Sequence, residues 1–123
     1  MFIQSHNMNM KTGRLANEVI VNIDKKGNTI ANFQLVVSLP YQSEGRQATT
    51  IINCKAFSFG SNKIADNLAK MTTKGSLLEL IGYDETQTYL KNNETYYQQF
   101  VHVTAFNCLE TKEQTEERRN RRG

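Results

Sequence analysis

In the stretch Ile51-Ile52-Asn53-Cys54-Lys55-Ala56-Phe57 two sets of residues alternate. Extended backbone sends successive side chains to opposite faces, so Ile51, Asn53, Lys55 and Phe57 share one face and Ile52, Cys54 and Ala56 the other. The first set puts an amide, a cation and an aromatic ring side by side. A flat ring offers a surface against which another flat ring lies, an ammonium group attracts an anion, and an amide both donates and accepts hydrogen bonds. The second set, small and branched, is what the interior of a barrel takes. This is the chemistry of a binding surface.

Patterns for catalysis do not occur in the sequence. It contains no Gly-rich phosphate loop, no nucleophile elbow and no His-Glu-x-x-His run, and its carboxylates are scattered. Cys54 and Cys108 lie far apart without a Cys-x-x-Cys pair, and the two histidines are equally distant, so no metal-ligand spacing is present. The expectation is a protein with no enzymatic activity, no cofactor and no metal. Its cysteines read as small, half-buried strand residues of a reducing cytosol rather than as a disulfide.

The elements that must hold such a face are mostly strands. In Thr29 to Val37 the odd positions Ala31, Phe33, Leu35 and Val37 share a face, and Glu18 to Ile23 reads as a partner strand across the turn-forming Lys25-Lys26-Gly27-Asn28. Ala48 to Phe57 is a third strand. One helix follows, with Ser61 as its N-cap and Ile64, Ala65, Leu68 and Ala69 at helical spacing, and Thr73-Lys74-Gly75-Ser76 ends it. Leu77 to Tyr89 and Tyr96 to Leu109 complete the count across the loop Lys91-Asn92-Asn93-Glu94, with Gly82 marking a bulge or barrel corner. The pattern predicts an all-β chain: a five-stranded OB-fold barrel with one short helix between strands 3 and 4. Residues 1–109 would form this domain, and residues 110–123 a charged, flexible C-terminal tail.

Of 123 residues, 38% are hydrophobic and 22% charged, ordinary values for a soluble globular domain. No apolar run is long enough to span a membrane and no secretory signal is visible at the N-terminus, so a cytoplasmic protein is expected. The net charge is +3, with five basic and four acidic side chains falling in residues 110–123. So weak a surplus permits a polyanionic partner without arguing for one.

Several segments, read in order, resemble the bacterial single-stranded DNA-binding protein family. Gly13-Arg14-Leu15 is similar to the end of that family's first strand, and Gly27-Asn28-Thr29-Ile30-Ala31-Asn32-Phe33 to its glycine turn and following strand. Cys54-Lys55-Ala56-Phe57 resembles the close of its third strand and Ile64-Ala65-Asp66-Asn67-Leu68 its helix. Lys74-Gly75-Ser76-Leu77, with Ile81-Gly82, resembles the start of its fourth strand. The set covers residues 13 to 109. The resemblance implies an OB fold that binds single-stranded DNA with little sequence preference and protects it in replication, repair or recombination. It also implies a homo-oligomer, tetramer or dimer, that meets replication or repair proteins.

By position, Tyr41, Phe57 and Tyr89 match the family's base-stacking aromatics, and Ile51 occupies a fourth platform position with apolar contact only. Phe57, just before the helix, reads as core on the residues alone. Lys11, Arg14, Lys55, Lys74 and Lys91 are candidate phosphate contacts, with Asn53 beside them. Tyr83, Tyr96 and Tyr97 read as ordinary strand tyrosines. The sequence departs from the family in a polar first strand, His6 to Thr12, and in closing on Arg121-Arg122-Gly123 rather than an acidic tip. The absent acidic tip and the aliphatic Ile51 in a platform position keep open an OB-fold adaptor of a primosome or mobile element that mainly binds protein. RNA is a further alternative, because stacking does not read the 2′-hydroxyl.

Overall fold

The computed structural model describes residues 7–122. Its elements are β1 (Asn9–Leu15), β2 (Ile20–Ile23), β3 (Thr29–Ser43), β4 (Arg46–Phe57), α1 (Ile64–Met71), β5 (Leu77–Lys91), β6 (Glu94–Cys108) and α2 (Lys112–Arg122). The strands form one sheet in the order β1-β5-β6-β4-β3-β2, and a further β1–β3 pairing closes it. The closed ring is therefore β1, β5, β6, β4 and β3, a five-stranded OB-like barrel. β1 pairs with β3 at Leu15↔Leu35, and β2 continues along the same edge of β3 from Ile20↔Asn32 to Ile23↔Thr29.

The helix position differs from expectation. α1 follows the fourth strand in chain order rather than lying between strands 3 and 4. The reason is β1, which carries almost no hydrophobic signal. Its inward positions are Asn9, Lys11, Gly13 and Leu15, of which only Leu15 is both bulky and apolar. Backbone pairing with β5, from Asn9↔Gly82 to Arg14↔Leu77, makes it a strand. Ser61 does not cap α1 either: the Ile64 N–H donates to Asn62 Oδ1 at 3.0 Å and the Ala65 N–H to Ser58 Oγ at 2.9 Å.

Ala31, Phe33 and Leu35 enter the core as their alternation requires, facing Cys54 and Ala56 of β4, with Leu68 of α1 and Leu78 and Leu80 of β5 closing the barrel interior. Both hairpins run well past the barrel. β3 and β4 turn through Glu44-Gly45 and β5 and β6 through Asn92-Asn93, and all four residues have positive φ, as two-residue hairpin turns need. In the first arm the ladder slips between Ser38 and Gln42, across Pro40, whose nitrogen has no proton to give. In the second it slips at Ile81/Gly82. There a Cβ on Gly82 would collide with the His102 carbonyl oxygen.

Residues 112–122, expected to be part of a flexible tail, form a helix docked on the turn after α1. The Gln114 N–H donates to Thr111 Oγ1 at 3.0 Å and the Thr111 N–H to Gln114 Oε1 at 2.9 Å, a reciprocal cap. Thr115 is fully buried. Arg118 donates to both oxygens of Glu110, at 2.7 and 2.6 Å, and Arg14 donates to the same carboxylate at 3.2 Å. Arg119 donates to the Lys74 carbonyl and to Thr73 Oγ1, both at 3.2 Å. Two of the tail's arginines thus bind the protein itself. The Arg118 guanidinium, helped by Thr115 and Arg14, holds the Glu110 carboxyl down at about 2.

Gly82→Ala should lower stability by about 1–3 kcal/mol, because the barrel corner cannot make room for a methyl group against backbone; a shift of the urea midpoint at unchanged slope measures it. A carboxyl whose pKa falls on folding contributes stability above its unfolded pKa and loses it as pH drops through the folded one. The Glu110 contribution to α2 docking should therefore be intact at neutral pH and disappear between the ordinary glutamate value and about 2. Hydrogen exchange of the Thr115 amide, and its acceleration at neutral pH in Glu110→Gln, would report this.

Candidate nucleic-acid interface

β4 and β6 run parallel and pair at only two positions, Cys54↔Val101 and Lys55↔His102. Toward their N-terminal ends each is instead drawn into its own hairpin, β4 by β3 and β6 by β5. Both arms consequently leave the barrel at the same end, and the strands part like a wedge. Three cavities of about 760, 310 and 710 Å³ follow this opening. The first two share Asn53 and Gln98, and the last two share Ile20, Asn32 and Lys55. Together they form one groove across the face of β2, β3, β4 and β6.

The alternation of β4 supplies its centre. Ile51 (58% exposed), Asn53, Lys55 and Phe57 face the groove, whereas Cys54 and Ala56 are buried behind them. Lys55 Nζ donates to Gln87 Oε1 at 2.8 Å and stands 4.9 Å above the Phe100 ring, so the cation is positioned by β5 and β6. Phe57 is half-buried between Phe59, at 6.1 Å and nearly parallel, and His102, at 4.8 Å and tilted. His102 stacks in turn on Tyr83 at 4.7 Å, and its Nδ1 lies 2.9 Å from Glu85 Oε1. Burial and the nearby Glu85 raise the Tyr83 phenol, which keeps it protonated. Burial pushes the Cys54 thiol up to about 12, leaving it inert.

The other expected site residues divide by location. Lys11 is inward-facing on β1 and lines the groove beside Ile51 and Asn53. Tyr41 (58% exposed) lies on the first arm and Tyr89 (47% exposed) on the second, where it stacks on its cross-strand partner Tyr96 at 5.5 Å. Lys91 is at the tip of the second arm. Arg14 and Lys74 line none of the groove's cavities. Arg14 bonds to the Gly75 carbonyl at 3.1 Å and to Glu110. The Lys74 N–H donates to Glu18 Oε2 at 2.8 Å, which lowers that carboxyl, and its carbonyl accepts Arg119. The Arg14 side chain and the Lys74 backbone thus belong with the docking of α2, while the Lys74 side chain is exposed.

Several groove residues escape a search for cations and rings. Asn32 and Gln34 on β3, Asn17 ahead of β2, and Gln98 on β6 bring amides to the wall. Asn32 and Gln34 were accessible from the alternation that sends Ala31, Phe33 and Leu35 inward, since the even positions must then face out. Among the described residues no group of three His, Cys, Asp or Glu side chains is placed to hold a metal ion. No helix among them is long and apolar enough to cross a membrane. An apolar and aromatic wall, a positioned ammonium group and a run of amides can together hold flat, anionic polymers.

No family model matches this chain. It is 26% identical over 106 residues to the single-stranded DNA-binding protein of Staphylococcus epidermidis, an alignment covering 85% of this chain and 77% of that protein. It is 34% identical over 83 residues to the single-stranded DNA-binding protein of Halalkalibacterium halodurans, covering 67% of this chain but only 46% of the relative. Among solved structures, the Plasmodium falciparum SSB in complex with ssDNA superposes with a TM-score of 0.74 at 19% identity, over 89% of this chain and all of that one. The barrel order, the parallel seam between β4 and β6 and these likenesses agree: the chain is an OB-like barrel similar in sequence to bacterial single-stranded DNA-binding proteins.

Proposed function

We propose that this protein binds single-stranded DNA along the groove between its two hairpin arms, with little sequence preference, and catalyses nothing. The observation that carries the reading is the wedge opened by β4 and β6, walled by Ile51, Lys55 and Phe57 and flanked by arms bearing Tyr41 and Tyr89. Every base has a π-face, so aromatic platforms hold a strand without reading it, at about 1–3 kcal/mol per stacked base. Lys11 and Lys55 in the groove and Lys91 at an arm tip meet the phosphates. Similarity to single-stranded DNA-binding proteins supports the remaining parts of the reading: assembly into a dimer or tetramer, and service in cytoplasmic replication, repair or recombination.

Titration with oligothymidines of graded length, followed by tyrosine fluorescence, tests this and gives site size and stoichiometry together. Submicromolar binding that saturates once a strand spans the groove is the expected result. Feeble binding at every length would favour the adaptor reading, which rests on Ile51, an exposed aliphatic residue in a platform position.

Phe57→Ala and Tyr89→Ala should each weaken binding by about 1–3 kcal/mol. Ile51→Trp should strengthen it by adding a ring to the exposed position. With three cations on the path, log K should fall against log salt with a slope of about −2, from −0.7 per neutralised phosphate. A slope several times steeper would place the strand on some other, more basic surface.

A further inference from the structure

We propose that the cavity between β2, β3, β4 and β6 holds one nucleobase by its hydrogen-bonding edge, through the paired amides of Gln34 and Asn53. This rests on the single-stranded DNA reading above and adds to it a contact that senses whether a base is unpaired. The cavity measures about 310 Å³, at the lower end of small-ligand pockets. Asn17, Asn32, Gln34, Asn53 and Gln98 line it, with Lys55 at the boundary it shares with the next cavity. Exposed Ile20 supplies an apolar side.

Gln34 and Asn53 are direct cross-strand partners of β3 and β4. The Gln34 amide nitrogen donates to Asn53 Oδ1 at 2.9 Å, and both side chains are half-buried. This bond uses one donor and one acceptor and leaves Gln34 Oε1 as an acceptor and Asn53 Nδ2 as a donor. Rotating both amides by half a turn exchanges the roles but still leaves one of each. Among the described residues neither remaining group has another protein partner. The pair is thus a preset donor and acceptor side by side, held in place by their mutual bond.

The Watson–Crick edge of every base presents the complementary arrangement, a donor next to an acceptor: N3–H and O4 in thymine, the amino group and N3 in cytosine, the amino group and N1 in adenine, N1–H and O6 in guanine. In a duplex that edge is occupied. In a single strand it is free to be bonded by protein. Amide side chains that rotate to suit either order do not separate the four bases, so the contact favours unpaired strands without favouring a sequence.

The test compares oligothymidine with an oligomer of the same length built from N3-methylthymidine, which keeps the ring face and the phosphates but replaces the N3–H donor with a methyl group. The wild-type protein should bind the methylated strand at least about tenfold more weakly, the scale of one buried hydrogen-bonding edge left unmet. Asn53→Leu, close in volume, should lose affinity for oligothymidine and bring the two strands within about twofold, and Gln34→Leu should do the same, with unchanged thermal melting showing that the barrel is intact. Phe57→Ala should weaken both strands equally and leave the gap. Equal binding of the two strands by wild type, or a gap that survives both amide substitutions, overturns the edge contact while leaving single-stranded DNA binding in place. Failure to bind either strand overturns both readings.

Discussion

The barrel has one parallel junction, the seam of β4 with β6, only two residue pairs long, Cys54 with Val101 and Lys55 with His102. Every other junction in the ring is antiparallel, and those of β5 with β6 and β3 with β4 run the length of long hairpins. Beyond the seam β4 pairs only with β3 and β6 only with β5, and the two strands part. The short seam closes the core behind Cys54 and Val101 and, by its shortness, opens the groove in front. The site follows from how the barrel closes, and glycine at the Gly82 corner allows β6 to come close enough to β5 for closure.

The groove is poor in net charge. Lys55 is tied to Gln87 and lies over Phe100, Lys11 and Lys55 share the lining with Asp84 and Glu85, and much of the remaining wall is amides and apolar side chains. Meanwhile Arg14, Arg118 and Arg119 gather around Glu110 and the turn at Thr73–Gly75, where they fix α2. An arginine bonded to a carboxylate and to carbonyls gives up much of its capacity to attract a phosphate, so net charge overstates what the surface offers a polyanion. Affinity must then come mainly from ring faces and hydrogen bonds, terms that salt screens little.

Alternation made much of this legible from the residues. Ala31, Phe33 and Leu35, and Cys54 and Ala56, lie inside as their spacing demands, and Gly82 sits at a register slip. β1 was hidden because Asn9, Lys11 and Gly13 fill its inward positions and tertiary pairing alone makes it extended. The arms extend beyond their apolar stretches for the same reason: cross-strand ladders and two-residue turns hold them without a core. α2 carried a signal, Thr111 three residues before Gln114, but its polarity suggested a solvated tail. The Arg14 guanidinium, expected to meet phosphate, is engaged by Glu110 and the Gly75 carbonyl, because side-chain type does not say which carboxylate or carbonyl a cation will find. Asn32 and Gln34 were readable from the pattern, but only once the outward face of β3 was considered as chemistry.

Backbone amide shifts on titration with a short oligothymidine test whether the strand lies in the wedge between β4 and β6. The largest changes should fall at Asn53, Lys55, Gln98 and Phe100 and along both arms, with Thr73 to Ser76 and α2 unmoved. Changes concentrated on α2 and the Thr73–Ser76 turn, with the groove residues unmoved, would contradict that placement.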